Sequence, residues 1–444
     1  MSRALTRRSF VKSITSLGLT LPVLAPRLLR AASPNGLLRH ASFGANGMAW
    51  ADISSLTRSK DLKLVAVCDI DESRFDKVGK QFIDVARYTD WRVMLEKEEK
   101  NIDSVNVTVP DHMHAPIAMS ALRRGKHVYC QKPLTKWIAE ARALRLESEK
   151  RPKQVTQMGI QIHSSLEYRL GVHLIQSGVI GKIKRVHSFE AKSWGGKGER
   201  PAETKDIPAG FNWDHWLGVA PARPYAKGAY HPSNWRRWCD FGTGTFGDMG
   251  CHILDPVFKS LELTAPLTVR SVGPVATPEQ WPESATVHYT FPSTQFTAGN
   301  TLDVTWYDGG ALPPPEVFKV LGEMKAPRAG SIFIGEKGAM LMPHIAGPRL
   351  LPAAQFADFK MPDLGPDNHW TQFVDACRGE GKTRTHWSYA GPLTESVLLG
   401  TVALRFANQE LKWAAASLKI TNFADANQWV KRDYRSGWNI EGLG

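Results

Sequence analysis

The sequence predicts an α/β protein in two parts: a parallel sheet covered on both faces, then a larger and mostly antiparallel sheet. Three observations carry this. Up to about residue 150, apolar runs of strand length alternate with helical stretches over short connections. One of them, LVAVC at 64–68, is apolar without alternation, the pattern of a strand buried on both faces. From about residue 155, strand-like segments follow one another mostly without helices between them.

The elements follow in order. LLRHASFGANGM at 37–48 reads as a strand running into a glycine turn, with a helix from Ala49 to Arg58. LKLVAVCDID gives a second strand ending at Asp69, and a helix is expected over Glu72–Ala86. A strand to Val109, a helix to Arg124, a strand at His127–Cys130 and a helix over Lys136–Lys150 complete the first half. Beyond it, KIKRVHSFEAKSW, LTVRSVGPVA, ATVHYTFP, TLDVTWYDG and SIFIGEKGAM read as strands. Helices are expected at Phe246–Leu261, Trp370–Cys377 and Pro392–Asn408, and loops at 195–232, 309–316 and 342–367. The resulting division is a leader over 1–32, a first domain over 33–154 and a second over 155–444.

Composition bounds the partners. The chain has 444 residues, 42% of them hydrophobic and 22% charged, which excludes a disordered chain. Of the formal net charge of +13, six positive charges (Arg3, Arg7, Arg8, Lys12, Arg27 and Arg30) lie in the first 32 residues without one acid. No basic run interleaved with aromatics follows, so nucleic acid is not an expected partner. The apolar stretch from Ile14 to Ala25 is short and broken by Gly18 and Pro22, which fits a secretory signal and not a spanning helix. Arg7 and Arg8, flanked by Thr6, Phe10 and Lys12, resemble a twin-arginine export signal, so a periplasmic or otherwise exported protein and a contact with that export machinery are expected. A basic amphipathic or uncleaved anchor is the alternative. Five scattered cysteines (Cys68, Cys130, Cys239, Cys251, Cys377) without a C-x-x-C favour buried free thiols over disulfides or zinc.

Two stretches carry chemistry. In GANGMA, Gly44 takes the first glycine position of a dinucleotide turn, Asn46 the second and Ala49 the third, with Gly47 beside them. Asp69, at the end of the next strand, is placed to take ribose hydroxyls, which favours NAD over NADP; Arg74 nearby leaves NADP open. In FGTGTFGDMGCHILD at 241–255, Asp248, His252 and Asp255 are spaced by four and three, one face of a helix. That stripe is either a polar surface or a site of proton transfer. A metal site that joins the three with His231 or His112 is the less favoured alternative, and none is expected.

VAVCDID, VPDHMHAPIAMSALRRGKHVYCQKPLT and GDMGCHILD, in this order, resemble the Gfo/Idh/MocA oxidoreductase family, which contains glucose-fructose oxidoreductase and inositol dehydrogenases. The resemblance implies an N-terminal Rossmann domain and a C-terminal α/β domain on a large open sheet that serves oligomer contacts, hence a homo-oligomer, dimer or tetramer. It implies that Lys132 reaches the substrate oxygen beside the nicotinamide, where an ammonium stabilises a developing alkoxide. Gln131 stands where relatives carry glutamate, so Lys132 is expected to lose its proton more readily. It also implies that Asp248 and His252 are the family's D-x-x-x-H pair, His252 as the base and Asp248 as a substrate anchor or orienter. Asp255 is assigned to substrate binding or support.

Other candidates come from position. Pro110, His112 and His114 follow the strand ending at Val109 and are expected to border the nicotinamide, with packing as the alternative for the histidines. Gln161, Tyr168 and Arg169 are candidate substrate or cofactor contacts. Trp213, Trp216, Trp235 and Trp238 cluster with Arg236 and Arg237; Trp235 and Arg236 are assigned to sugar binding, although packing suits most of the tryptophans. The expectation is an oxidoreductase acting on a sugar, glycoside or cyclic polyol, with a tightly held NAD because free NAD is scarce outside the cytoplasm. The alternatives are a hydrolase that oxidises its sugar transiently and a sugar-binding relative without activity.

Overall fold

The computed structural model describes residues 36–204 and 206–444, so the twin-arginine stretch and the rest of the leader lie outside the described residues. The first sheet holds six parallel strands in the order β3-β2-β1-β4-β5-β6. They are β1 (Leu38–Phe43), β2 (Leu62–Cys68), β3 (Ala86–Tyr88), β4 (Ser104–Val107), β5 (His127–Gln131) and β6 (Thr156–Gly159). Helices α1 (Met48–Leu56), α2 (Asp76–Gln81), α3 (Trp91–Lys97), α4 (His114–Arg123) and α5 (Ile138–Glu149) connect them. Strands β1, β4, β5 and β6 are buried almost throughout, because helices cover both faces.

Two boundaries in this half differ from expectation, and in the second half the helix expected over Pro392–Asn408 spans Trp387–Ala403. The helix expected over Glu72–Ala86 is a 3₁₀ turn followed by the short α2, and Ala86 begins an edge strand of three residues, too short for a period to show. The first sheet also runs past residue 154, since β6 pairs with β5 from Thr156 to Gly159.

The second sheet has nine strands in the order β13-β12-β11-β7-β10-β9-β8-β14-β15. Its centre is β7 (Ile183–Glu190), β8 (Thr268–Val272), β9 (Ala285–Pro292), β10 (Thr301–Asp308), β11 (Ala329–Gly335) and β12 (Ala339–Pro343); β13 (Arg349–Leu351), β14 (Leu411–Ala414) and β15 (Lys419–Ile420) form the edges. Only β7 and β10 run parallel; every other pair is antiparallel.

The longer helices of this half are α6 (Leu166–Gln176), α7 (Trp213–Leu217), α8 (Gly244–Ile253), α9 (Asp255–Leu261), α10 (His369–Arg378) and α11 (Trp387–Ala403); a single helical turn lies at Pro315–Phe318. The single helix expected over Phe246–Leu261 is divided at Leu254, because Pro256 has no N–H to give the carbonyl four residues back. Helix α11 is buried nearly all round, between α5 and α8, and its Glu395 takes Arg142 at 2.7 Å. A β-carbon on Gly250 of α8 would meet the Phe246 ring at 2.9 Å and Val397 of α11 at 3.3 Å, so the two helices are closely packed there. Helix α10 returns to the first sheet: Phe373 is fully buried against Leu38 and Tyr129, and Trp370 Nε1 donates to Asp52 Oδ1 at 3.0 Å. Both sheets thus belong to one compact unit, Leu37–Gly444. All five cysteines are buried, and Cys68, Cys130, Cys239 and Cys251 are free thiols, as their apolar settings predict. Among the described residues, no helix is long and apolar enough to cross a membrane.

Candidate active site

A cavity of about 700 Å³ runs along the C-terminal ends of the strands of the first sheet, across the point between β1 and β4 where strand order reverses. One end is formed by the turn after β1. Gly44 has φ +100°, and a β-carbon there would lie 2.4 Å from the Thr108 carbonyl oxygen, so only glycine fits. Asn46, Gly47 and Met48 also line the cavity, and no side chain caps α1, which leaves its first N–H groups to a ligand. At the end of β2, the Asp69 carboxylate accepts from Ala45 N at 2.9 Å and from Asp71 N at 3.1 Å. Burial pushes the Asp69 carboxyl up to about 6, against those N–H groups. Arg74 donates to Asp71 at 2.8 Å and lies 3.3 Å from His231 Nε2, which itself lies 2.9 Å from Asp71 Oδ2. A glycine cradle, an open helix N-terminus and a carboxylate at the next strand end suit a dinucleotide.

The other end gathers residues from both sheets. Lys132, just past β5, donates to Asp248 Oδ1 at 2.6 Å and to the Asp248 carbonyl at 2.7 Å. Arg236 Nε adds a bond to the same carboxylate oxygen at 3.2 Å. Burial raises the Asp248 carboxyl, but Lys132 and Arg236 outweigh it and hold the group well below the usual carboxylate range. One turn further along α8, His252 lines the cavity, and its Nδ1 is buried without a partner. Burial, then the charge of Lys132 and the neighbouring His344, holds this imidazole well below its ordinary value, so it is neutral at neutral pH.

Behind Lys132, Gln131 Nε2 donates to Asp52 Oδ2 at 2.9 Å, and Asp52 also accepts from Thr108 Oγ1 and Trp370 Nε1. Burial raises Asp52 to about 6. A carboxyl group thus lies one hydrogen bond behind position 131, at Asp52.

The structure brings together on this cavity Gly44, Asn46, Gly47, Asp69, Arg74, Pro110, His114, Gln161, Lys132, Asp248, His252, Trp235 and Arg236. His114 bridges the Pro133 carbonyl at 2.7 Å and the Val109 carbonyl at 2.8 Å, so it also ties two strand ends together. Four candidates lie elsewhere. His112 is buried between Trp216 and Phe241 and bonds the Trp216 carbonyl at 3.0 Å; burial lowers it to about 4. Asp255 is turned off the stripe by the break at Leu254 and is fully buried, 2.8 Å from His163 Nδ1 and bonded by Tyr389. Tyr168 packs its ring on His163 with centroids 4.6 Å apart. Arg169 donates to the carbonyls of Leu364 and Gly365, holding a loop. Trp213, Trp216 and Trp238 belong to an aromatic cluster with Tyr225, Tyr230 and Phe241, and of these three Trp216 also lines the cavity. Among the described residues, no group of three or more His, Cys, Asp and Glu is placed to hold a metal ion.

Among the cavity residues that the sequence reading did not single out are Lys192 and His344. Lys192 sits two residues beyond β7, and His344 directly follows β12. The sequence reading assigned the first to a strand and the second to a loop. The available signal was their place at strand ends.

Fold and site together define a dinucleotide-binding α/β protein. Comparison with known proteins makes this specific. Residues 38–159 match the Gfo/Idh/MocA oxidoreductase family with an NAD-binding Rossmann fold, and 171–295 match the C-terminal α/β domain of the same family. These segments together span more than half of the chain, which belongs to the Gfo/Idh/MocA family. It is similar to inositol 2-dehydrogenase of Salmonella paratyphi B, 30% identical over 28% of this chain and 37% of that protein. It is also similar to a glycosyl hydrolase family 109 protein of a Shewanella species, 22% identical over 33% of each. The match thus spans about a third of the length of each of these relatives. Among solved structures, the WlbA dehydrogenase from Bordetella pertussis, in complex with NADH and UDP-GlcNAcA, has a TM-score of 0.59 at 13% identity, covering 85% of this chain and 99% of that one. That likeness is one of fold.

Proposed function

We propose that the protein is an exported, nicotinamide-dependent oxidoreductase acting on a CH–OH group of a sugar, glycoside or cyclic polyol, with a tightly held NAD. The observation that carries this is the meeting of Lys132, Asp248 and His252 at one end of a cavity whose other end is the Gly44 turn and Asp69. A nicotinamide nucleotide bound there supplies a two-electron acceptor. Gly44, Asn46, Gly47 and the N-terminus of α1 would hold its pyrophosphate, and Asp69 its ribose hydroxyls. Arg74, engaged by Asp71 and His231, is less free to take a 2′-phosphate, which favours NAD over NADP.

The chain's own groups divide the work. His252, neutral and lining the cavity, takes the substrate hydroxyl proton. Lys132 stabilises the negative charge that develops on that oxygen. Asp248 fixes the position of Lys132 and, with Arg236, can hold a neighbouring hydroxyl. Similarity to an inositol dehydrogenase and to a dehydrogenase that binds a sugar nucleotide supports the polyol or sugar class.

Tight retention is supported by the segment that crosses the nucleotide end. Asn212 N donates to the Ile70 carbonyl and Glu72 N to the Gly210 carbonyl, both at 2.9 Å, and His231 closes on Asp71. Export rests on the Arg7–Arg8 stretch. A homo-oligomer, dimer or tetramer, is supported by the half-exposed residues that alternate along β9 (Thr286, His288, Thr290). Native mass spectrometry and absorbance of the purified protein test the proposal, followed by a sugar and polyol panel monitored for nicotinamide reduction. One bound nucleotide per chain and reduction by a panel member are expected. A folded protein that neither carries nor binds the nucleotide rules it out.

The family 109 relative favours a second reading, a hydrolase. Release of aglycone from aryl glycosides without added acceptor would support it over net oxidation.

A further inference from the structure

Resting on the oxidoreductase reading, we propose that the substrate carries an anionic group, a carboxylate or phosphate, and that Lys192 and His344 form the subsite that binds it. The first argument is charge. Three cationic side chains, Lys132, Lys192 and Arg236, line the reactive end of the cavity, with Asp248 and Asp111 as the carboxyls beside them. Asp248 Oδ1 already takes both Lys132 and Arg236. Asp111 is buried and takes the Thr243 hydroxyl at 2.7 Å. Neither serves Lys192. Its Nζ lies 3.5 Å from the Met249 sulfur, and among the described residues it has no ion pair. A thioether is a weak acceptor, so among the described residues the Lys192 ammonium has no oxygen partner for its two remaining donors.

The second argument is the pair of imidazoles. His252 and His344 stand with ring centroids 5.4 Å apart, and the Nδ1 atom of each is buried without a partner. Burial lowers His344 to about 4, and Lys192 and Lys132 push it the same way. The space between these groups is therefore electropositive, and an anion seated there would satisfy the Lys192 ammonium and give His344 a partner. A neutral polyol would leave the three cations opposed only by Asp248 and Asp111.

The subsite is also built on fixed elements. The Lys192 backbone N–H donates to Glu190 Oε1 at 2.9 Å, and Trp194 N donates to Thr245 Oγ1 at 2.6 Å, which pins the exit of β7 to the start of α8. His344 N donates to the Ala329 carbonyl at 3.0 Å, fixing the end of β12. The charge of Lys192 acts on His252 and His344, residues of the reactive end, whereas the cofactor phosphates belong at the glycine turn.

The test uses the full-length, NAD-loaded protein and matched panels of neutral hexoses and inositols, uronates and aldonates, and sugar phosphates. Binding is read by calorimetry and turnover by kcat/KM, for the wild type, Lys192→Met and Lys192→Arg. Acidic members should bind at least about tenfold more tightly than their neutral counterparts, the effect of a charge-assisted hydrogen bond. Lys192→Met should collapse that ratio and Lys192→Arg restore it, and the uronate and phosphate arms tell the two anions apart. The inference is overturned if no acidic member outbinds its neutral partner, or if the ratio survives in Lys192→Met. Failure of every member to reduce the nucleotide would instead count against the oxidoreductase reading, and the binding ratio would still decide this one.

Discussion

Lys132 and Asp248, 116 residues apart in the chain, are joined twice, through the carboxylate at 2.6 Å and through the backbone carbonyl at 2.7 Å. A strand end of the first sheet and a helix beside the second are thereby locked at the seat of the proposed reaction. Substituting Lys132→Met removes the ammonium and leaves Asp248 to Arg236 alone. We expect kcat/KM on the best substrate to fall by about 10²–10³-fold, as on loss of an oxyanion donor. A fall smaller than about tenfold in steady-state kinetics would remove Lys132 from the chemistry.

The pH profile follows from His252. Burial, Lys132 and His344 all hold its imidazole below 6.5, so the acidic limb of kcat/KM for oxidation should lie below pH 6.5. In Lys132→Met one of these depressing charges is gone, so the limb should move to higher pH. An acidic limb above 7 in the wild type, or a shift in the opposite direction in the variant, would show that another group titrates.

Gly44→Ala should lose the nucleotide. Its β-carbon would sit 2.4 Å from the Thr108 carbonyl oxygen, in a backbone conformation with φ +100°. Strain of about 1–3 kcal/mol should appear as a lower melting temperature, with dinucleotide affinity at least about tenfold weaker by fluorescence quenching. Unchanged affinity would mean that the ligand does not approach this turn.

His231→Ala opens the link between the crossing segment and the Asp71–Arg74 pair. Stopped-flow displacement should show the bound nucleotide leaving about tenfold faster, the loss of about one hydrogen bond to a charged group. An unaltered dissociation rate would show that retention does not depend on this contact.

Gln131→Glu would set a second carboxyl against Asp52, whose own group is already raised to about 6. Above pH 5 the folded protein would retain a proton that the unfolded chain releases, so its stability falls as pH rises. The melting temperature of the variant should therefore lie further below wild type at pH 8 than at pH 5, by about 2 kcal/mol in stability. Adding Asp52→Asn should recover most of that loss. Equal deficits at both pH values would mean that the two groups do not share a charge.

The first sheet and the cofactor turn were legible because their signals are local. The glycine turn, the strand-end acid and the apolar runs are each readable within a few residues. The pairing of Lys132 with Asp248 was not, since it depends on two elements far apart in the chain. Neither was the diversion of Asp255: a spacing of three suggested one face, while Pro256 broke the helix between His252 and Asp255. Lys192 and His344 escaped notice because strand ends look like ordinary loop starts until the second sheet is assembled. Gln131 read as a lost charge, although its amide holds the carboxyl of Asp52, which lies in α1, 79 residues earlier.

The return of α10 to the first sheet has a consequence for biosynthesis. Trp370 and Asp52 meet across 318 residues, and Phe373 completes the packing under β1. At translation rates of roughly 5–20 residues per second, on the order of 15–60 s separate the emergence of Asp52 from that of its indole partner. The nascent nucleotide half thus waits on the ribosome with an apolar flank uncovered. It invites holdase chaperones over that interval, and it ties the completion of the first half to the arrival of the last quarter of the chain.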